Sequence, residues 1–519
     1  MASVYDEMVT GTGALRPHWR ALMEIVWSLA PEQLGERLAR VSAQIADDDE
    51  IVSLPERGGA HGRRLDLLPL ILPAAEWQAI SAGMVQRARL LDMILADLYG
   101  PQRLLEERLL PPYLVLGNPA FLRPLRGVRP RGDAPQLYFY AADLVRLPSG
   151  EWRVFADRTQ APGGVGYALH HRSVLARTVP EMFRATEVRR LDPFIDLWQS
   201  SLRAMARDRV EAPQIVLLTP GPYNDAYFEH VFLARALGIT LVQSSDLTVR
   251  DDFVYLKTLA GLQRVDVIYR RVDGDYCDSL ELREDSALGI AGLVQVARAS
   301  NVAILNLPGS ALVEAPAFAP FLPELCRKLL GGELRLPAVT TWWCGQERAL
   351  GEVRAALDDF AVHSVFDPDP VPLDPALLAA EDRAEFEAQL ARHPERFVAR
   401  EKMAPSGVPC LVADDAARED RRFVPKPVVL RVMALWRDGD WVAMPGGLAR
   451  IVTDHSIYRS TLRHGGVAKD VWVLSEQEAE PPLRIAPVAP APAPRPEIGL
   501  RSRTADDLFW LGLLLGQHP

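Results

Sequence analysis

The chain has 519 residues, with 58 Lys and Arg against 68 Asp and Glu, a formal net charge of −10, and 48% hydrophobic residues. That length exceeds one ordinary core, so two or three domains are expected, and the composition excludes wholesale disorder. The charge disfavours nucleic acid or an anionic membrane as the main partner. No apolar run reaches the roughly 18–20 residues of a membrane span and residues 1–12 carry acids instead of a leader, so a cytoplasmic protein is expected.

Residues 17–110 read as helical, because Trp77, Ile80, Met84, Ala88 and Leu91 recur at three- and four-residue steps. Residues 1–130 are therefore expected as a helical region packed on the core. In 131–210 the pattern turns to strands: 137–140 leads to Asp143, Pro148-Ser149-Gly150 makes a turn, and 152–155 returns as a hairpin. Across 211–345 apolar strands at 215–218, 239–242, 265–269 and 302–305 alternate with helices around 227–237 and 290–298. That order predicts βαβ units and a Rossmann-like, mostly parallel sheet.

Residues 346–478, with apolar runs at 397–399, 428–435 and 441–444, predict a separate α+β lobe with an antiparallel sheet. Residues 479–500 form a proline–alanine linker, extended and semi-rigid. Residues 501–519 open an amphipathic helix too short to bury its own face, which implies a following domain lost, cut off or supplied by another chain. The four cysteines are far apart and lack a CxxC pair, so they read as reduced thiols. The expected class is α/β and α+β, multidomain.

Three clusters carry candidate chemistry. On the hairpin, Asp143 and Asp157 can share a divalent cation, with Arg146 or Arg158 facing phosphate oxygens, or the same charges can form surface ion pairs. Next, Arg270, Arg271, Asp273 and Asp275, followed by Glu281 and Arg283, lie at the end of a βαβ strand, where open α/β sheets bind ligands; a substrate-carboxylate role and a loop held by Arg–Asp pairs are equally compatible with the spacing. Last, Pro445-Gly446-Gly447 lets backbone amides meet an anion, with Lys469 supplying positive charge, or forms a simple tight turn. The pair His170-His171 lacks a third metal ligand. Walker, kinase and GxSxG signatures are absent.

Taken in order, Ala142-Asp143-Leu144-Val145-Arg146, Ala156-Asp157-Arg158-Thr159-Gln160-Ala161-Pro162, Thr219-Pro220-Gly221-Pro222, Arg270-Arg271-Val272-Asp273-Gly274-Asp275, Thr341-Trp342-Trp343-Cys344-Gly345, Met444-Pro445-Gly446-Gly447-Leu448 and Lys469-Asp470-Val471-Trp472 resemble the circularly permuted ATP-grasp family. The likeness is to its bacterial branch usually joined to an alpha-E domain, and it covers most of residues 60–475; residues 502–512 resemble the opening of the alpha-E domain itself. The resemblance implies a permuted ATP-grasp fold with nucleotide between two α+β lobes and a Rossmann-like pre-grasp domain. It implies ATP and Mg2+ as cofactors, and small-molecule or peptide carboxylate and amine substrates joined through an acyl phosphate, as in glutathionylspermidine synthase. An alpha-E domain protein is the implied partner.

Carried over residue by residue, the resemblance implies Asp143 as a metal ligand. Relatives place Glu-x-Asn on the second arm, where this chain has Ala156-Asp157-Arg158, so Asp157 is expected as a replacement ligand and Arg158 as a substitute charge. Arg146, Arg158, Arg271 and Arg283 are the expected catalytic cations. Nucleotide contacts are expected from His363, Glu401, Lys402, Arg431, Gly446, Gly447 and Lys469, with His363 standing where relatives carry a stronger base. The rival expectation, motivated by Ala156, Arg158 and His363, is a nucleotide-binding or scaffold protein that has lost ligation.

Overall fold

The computed structural model describes residues 4–50, 63–130, 134–206, 213–367, 372–411, 423, 425–452, 466–475 and 502–516. The expected linker at 479–500 lies outside the described residues.

Two helices, Arg20–Ser28 and Pro31–Glu50, precede strands β1 (Arg64–Leu65) and β2 (Leu70–Leu72) and the long helix Ala74–Leu98. That last helix carries the stripe read from sequence, burying Trp77, Ile80, Met84, Ala88 and Leu91. The two short strands escape a periodicity reading because two- and three-residue strands exist only through their pairing partners. The hairpin follows as β3 (Phe139–Arg146) and β4 (Trp152–Arg158), and every residue of β3 is buried, as suits a central strand.

Next come β5 (Ile215–Leu218), β6 (Thr240–Val242), β7 (Leu247–Arg250), β8 (Phe253–Thr258), β9 (Gly261–Arg264), β10 (Val267–Arg270) and β11 (Ala303–Leu305). Four of them form the parallel sheet β11-β10-β5-β6, the Rossmann-like layer expected from the alternating pattern. The other three, β7-β8-β9, make an antiparallel meander inserted between β6 and β10.

The remaining strands are β12 (Thr341–Trp343), β13 (Phe360–Ser364), β14 (Phe397–Glu401), β15 (Gly407–Pro409), β16 (Pro425–Arg437), β17 (Asp440–Ala443), β18 (Leu448–Ile451) and β19 (Val467–Val473). A small antiparallel sheet, β12-β14-β13, carries the helices Glu347–Ala355 and Ala380–Arg392, whose Val353, Phe386 and Leu390 fill its own core. The strands from β15 onward do not stay with it. Among the described residues a nine-stranded sheet runs β1-β19-β18-β16-β3-β4, with β15 and β17 on β16 and β2 on β19. The expected 346–478 lobe is thus divided between two sheets, because the 13-residue β16 pairs with β3 from Leu430 to Leu435.

Asn306, at the end of β11, locks the parallel layer to the hairpin. Its side chain accepts from the Tyr138 and Phe139 amides at 2.8 and 2.7 Å and donates to the carbonyls of Phe139 and Thr159 at 2.7 and 2.6 Å. Such a fully satisfied amide fixes register in a way apolar packing does not. The helix Ser502–Gly516 is held by Arg503, which pairs with Asp246 at 2.8 Å, and it exposes Leu508, Phe509, Trp510 and Leu511. No helix among the described residues is long and apolar enough to cross a membrane.

Candidate functional site

The register of the hairpin decides which side chains share a face. Asp143 lies opposite Ala156, Ala141 opposite Arg158, and Ala142 opposite Asp157, with a bulge between Asp143 and Leu144. Side chains alternate along a strand, so Asp143, Ala156 and Arg158 point to one side and Asp157 to the other. The expectation that Asp143 and Asp157 share a cation is corrected by this geometry. Asp157 is gripped instead by Arg87 of the long helix through two 2.7 Å bonds, and it accepts the Tyr140 hydroxyl at 2.6 Å. Arg87 is fully buried and spends a further N–H on the Leu336 carbonyl.

On the other side a row crosses the large sheet: Ala156, Asp143, Arg431, Leu448 and Asp470, each opposite the next. Arg431 bonds both oxygens of Asp143, Nε at 2.7 Å and Nη2 at 2.8 Å, and Arg158 Nε adds a third bond at 3.1 Å. Burial alone pushes the Asp143 carboxyl up, but Arg431, Arg158 and the more distant Arg450 outweigh it and hold the group well below the usual carboxylate range. At the far end Asp470 accepts from Arg172 at 2.6 Å and from the Trp472 indole at 2.8 Å. Burial still leaves its carboxyl above the ordinary value.

Only the Ala156 end of this face is turned toward the small lobe; Leu448, with Ala141 and Met433 beside it, packs instead on Val165 and Ala168 and on the parallel layer. Val145, Phe155, Ala156, Val429 and Val452 pack with Val339 and Met403, and the Arg400 guanidinium of β14 sits 4.8 Å above the Phe155 ring. His363 shares the face of Arg400, since Arg400 pairs with Ala361 two residues before it. Burial, with Arg400 adding repulsion, pushes the His363 imidazole down to about 3. A neutral imidazole is a weaker phosphate partner than a lysine or an arginine. Glu401 ends the same strand exposed, and Lys402 turns back into the small lobe, 2.6 Å from Asp374 and 2.7 Å from the Asp358 carbonyl.

The loop at 159–166 joins the two sheets and absorbs the second cluster. Arg270 donates to the Gln160 carbonyl at 2.7 Å, Arg271 to the Pro162 carbonyl at 2.6 Å, and Arg431 to the Gly163 carbonyl at 3.1 Å. Glu314 accepts the amides of Thr159 and Gln160. Glu229 accepts those of Gly164 and Gly166 at 2.6 and 3.0 Å, so this chain's own carboxylate fills the glycine turn. A Cβ on Gly163 would stand 2.8 Å from a Glu229 oxygen and 3.2 Å from Arg271 Nη2, so those side-chain ends would have to move. Arg271 thus braces a loop.

Several candidates lie elsewhere. Arg146 is buried between Glu7 and Glu76 and stacks on Trp152 at 4.5 Å. Arg283 is on the surface with Asp285 and Asp275, over Tyr276. Lys469 faces away from the row, fully buried, with Asp66 at 2.5 Å and the carbonyls of Pro409 and Leu68 at 2.7 and 2.9 Å. Gly446 and Gly447 form a turn against β16, where a Cβ on Gly447 would come within 2.4 Å of the Arg431 carbonyl oxygen. Sequence reasoning missed Arg87, Asp66, Glu229, Arg400 and Arg450; Asp66, Glu229 and Arg450 interrupt apolar stretches and Arg87 interrupts the buried stripe of its helix, and those interruptions were the available signal.

Residues 69–452 match the family described as circularly permuted ATP-grasp type 2. The chain belongs to the circularly permuted ATP-grasp family. An uncharacterised protein of Synechocystis sp. is 32% identical over 475 residues, spanning 91% of this chain and 97% of its own. One of Mycobacterium tuberculosis (strain ATCC 25618 / H37Rv) is 34% identical over 98% of this chain, which spans 58% of that relative's length. Among solved structures, a glutathione synthetase-like effector from Globodera pallida matches with a TM-score of 0.55 at 12% identity, covering 86% of this chain and 98% of that one, a likeness of fold.

An ATP-grasp fold implies Mg2+ as well as ATP, and the donor set can be tested for each. Guanidinium groups of Arg158, Arg431 and Arg450 around one carboxylate fit the oxygens of a polyphosphate. They do not fit magnesium. Asp143 already accepts three N–H groups, the opposing positions are Ala156 and Arg158, and no group of three His, Cys, Asp or Glu able to hold a metal ion occurs among the described residues.

Proposed function

We propose that this chain is the ATP-grasp portion of an ATP-dependent ligase that joins a carboxylate to an amine. The observation that carries the reading is the arginine row of Arg158, Arg431 and Arg450 on the face of the large sheet whose Ala156 end is turned toward the small lobe, in a chain of the ATP-grasp family. In this reading a substrate carboxylate oxygen attacks the γ-phosphorus and ADP leaves, giving an acyl phosphate. The amine then attacks the acyl carbon, and inorganic phosphate departs with the amine's surplus proton. Arg158 and Arg431 neutralise charge on the phosphoryl oxygens, worth most in a water-excluded cleft. Arg271 keeps the 159–166 loop against them. An alpha-E helical partner belongs to the same proposal, supported by the run of large apolar side chains, Leu508 to Leu511, that the helix Ser502–Gly516 exposes.

A second reading, nucleotide binding without ligation, draws on one observation: Asp143 is committed to two arginines where the family resemblance implies metal ligands. The test is calorimetric titration with ATP of the parent and of Arg431→Lys, which keeps the charge and loses the two-pronged fork. Binding in the parent that weakens in Arg431→Lys is the expected result. ADP release on adding carboxylate and amine mixtures then selects ligation over binding alone, and no ATP binding by the parent ends both readings.

A further inference from the structure

The hairpin face that meets the small lobe offers three positions side by side: Asp143, Ala156 and Arg158. One is a carboxylate, one has no ligand atom, and one is a cation. A magnesium ion demands a near-octahedral shell of oxygens at about 2.0–2.1 Å and gives up water reluctantly. Here it would have to compete with Arg431 Nε, Arg431 Nη2 and Arg158 Nε for the same two oxygens, with positive charge a few ångström away. Asp157 cannot relieve this, because it lies on the opposite face in the grip of Arg87 and Tyr140.

We infer that this site takes the polyphosphate of a nucleotide without a magnesium ion, guanidinium groups supplying the positive charge that the metal would supply. The inference rests on the reading of the chain as an ATP-binding protein and makes it narrower. A metal-free polyphosphate carries more negative charge than its magnesium complex, so an arginine-walled site prefers the free form. Arg158 occupies the face beside Asp143 that a neutral or acidic ligand residue would otherwise occupy, and its planar fork matches phosphate oxygens in a way a lysine does not. The sign of one substitution separates the two chemistries. If Asp143 were a metal ligand, Asp143→Asn would abolish magnesium-dependent affinity. As a competitor of phosphate for Arg431 and Arg158, its neutralisation tightens binding.

The experiment is calorimetric titration of the full chain with ATP, once in EDTA and once in excess magnesium chloride. The inference expects a Kd in EDTA at least as low as in magnesium, a roughly tenfold weakening in Arg158→Gln, and a Kd for Asp143→Asn in EDTA lower than the parent's. Binding seen only with magnesium, or about tenfold tighter with it, overturns the inference and leaves the ATP reading standing. No binding in either condition overturns both. The two parent titrations decide the matter even where a variant fails to fold.

Discussion

Asp157 gives the sharpest test of the placement of charge, because the two roles open to it predict different losses. In the fold it is the acceptor of a two-pronged bond from Arg87, both contacts 2.7 Å, and of the Tyr140 hydroxyl at 2.6 Å. The Arg87 side chain is wholly buried and that of Asp157 is 10% exposed. Asp157→Ala leaves Arg87 with the Leu336 carbonyl at 3.2 Å and strands a guanidinium in the core. Breaking such a pair costs about 3–5 kcal/mol, to which the orphaned Tyr140 hydroxyl adds part of its own roughly 1–3 kcal/mol. Removing both charges is much cheaper, so Arg87→Met with Asp157→Ala is expected to recover at least about 2 kcal/mol of the loss. The assay is urea unfolding followed by tryptophan fluorescence, with the four members of the cycle at one temperature. Asp157→Ala within about 1 kcal/mol of the parent, or a double variant as unstable as the sum of the singles, would refute the buried-pair assignment. The folded fraction of Asp157→Ala is expected to bind ATP as the parent does.

Lys469→Ala, which abandons Asp66 and two carbonyls in a fully buried site, is expected to lose about 3–5 kcal/mol in the same unfolding assay; a variant of parental stability that has lost ATP would return Lys469 to the phosphate. Gly447→Ala forces a Cβ to within 2.4 Å of the Arg431 carbonyl, so β16 must shift, at a cost of about 1–3 kcal/mol read as a lower thermal midpoint. The acid sensitivity of the fold has a definite sign. His363 is pushed down to about 3, so between the ordinary histidine value near 6.5 and that figure the unfolded chain binds the extra proton and stability falls as pH falls. Asp143, also held low, adds its own loss only below about pH 4. His363→Gln should therefore flatten the drop in unfolding midpoint between pH 6.5 and 4, and an unchanged slope would remove His363 from the account.

The parallel layer was legible because its strands are apolar runs separated by helical periods, a signal that needs no partner to be seen. The helix Ala74–Leu98 was legible for the same reason. What the sequence hid was pairing across long separations. Residues 428–435 read as a strand, but only the fold shows that β16 lies beside β3, almost 300 positions earlier in the chain, and so brings Arg431 onto Asp143. Lys469 looked like a mobile charge because Asp66, 403 residues away, cannot be inferred from its neighbourhood.

The hairpin shows how small a feature separates the two outcomes. Counting outward from the turn, Arg146 faces Trp152, Val145 faces Arg153 and Leu144 faces Val154. Continued without interruption, that count would set Asp157 opposite Ala141, on the face of Asp143, and the two carboxylates would be neighbours able to share a cation. The bulge between Asp143 and Leu144 shifts the second arm by one residue, so Ala142 meets Asp157 and Ala141 meets Arg158. One extra residue in a strand exchanges every side chain beyond it between faces. Here it removes a carboxylate from the face of Asp143, delivers it to Arg87, and puts a guanidinium in its place. A variant that deletes Phe155, the residue the bulge accommodates, is expected to restore the even count, returning Asp157 to the side of Asp143 at the expense of the Arg87 pair; nucleotide binding that becomes magnesium-dependent in that variant would show that register, and not the supply of acidic residues, sets the chemistry of this face.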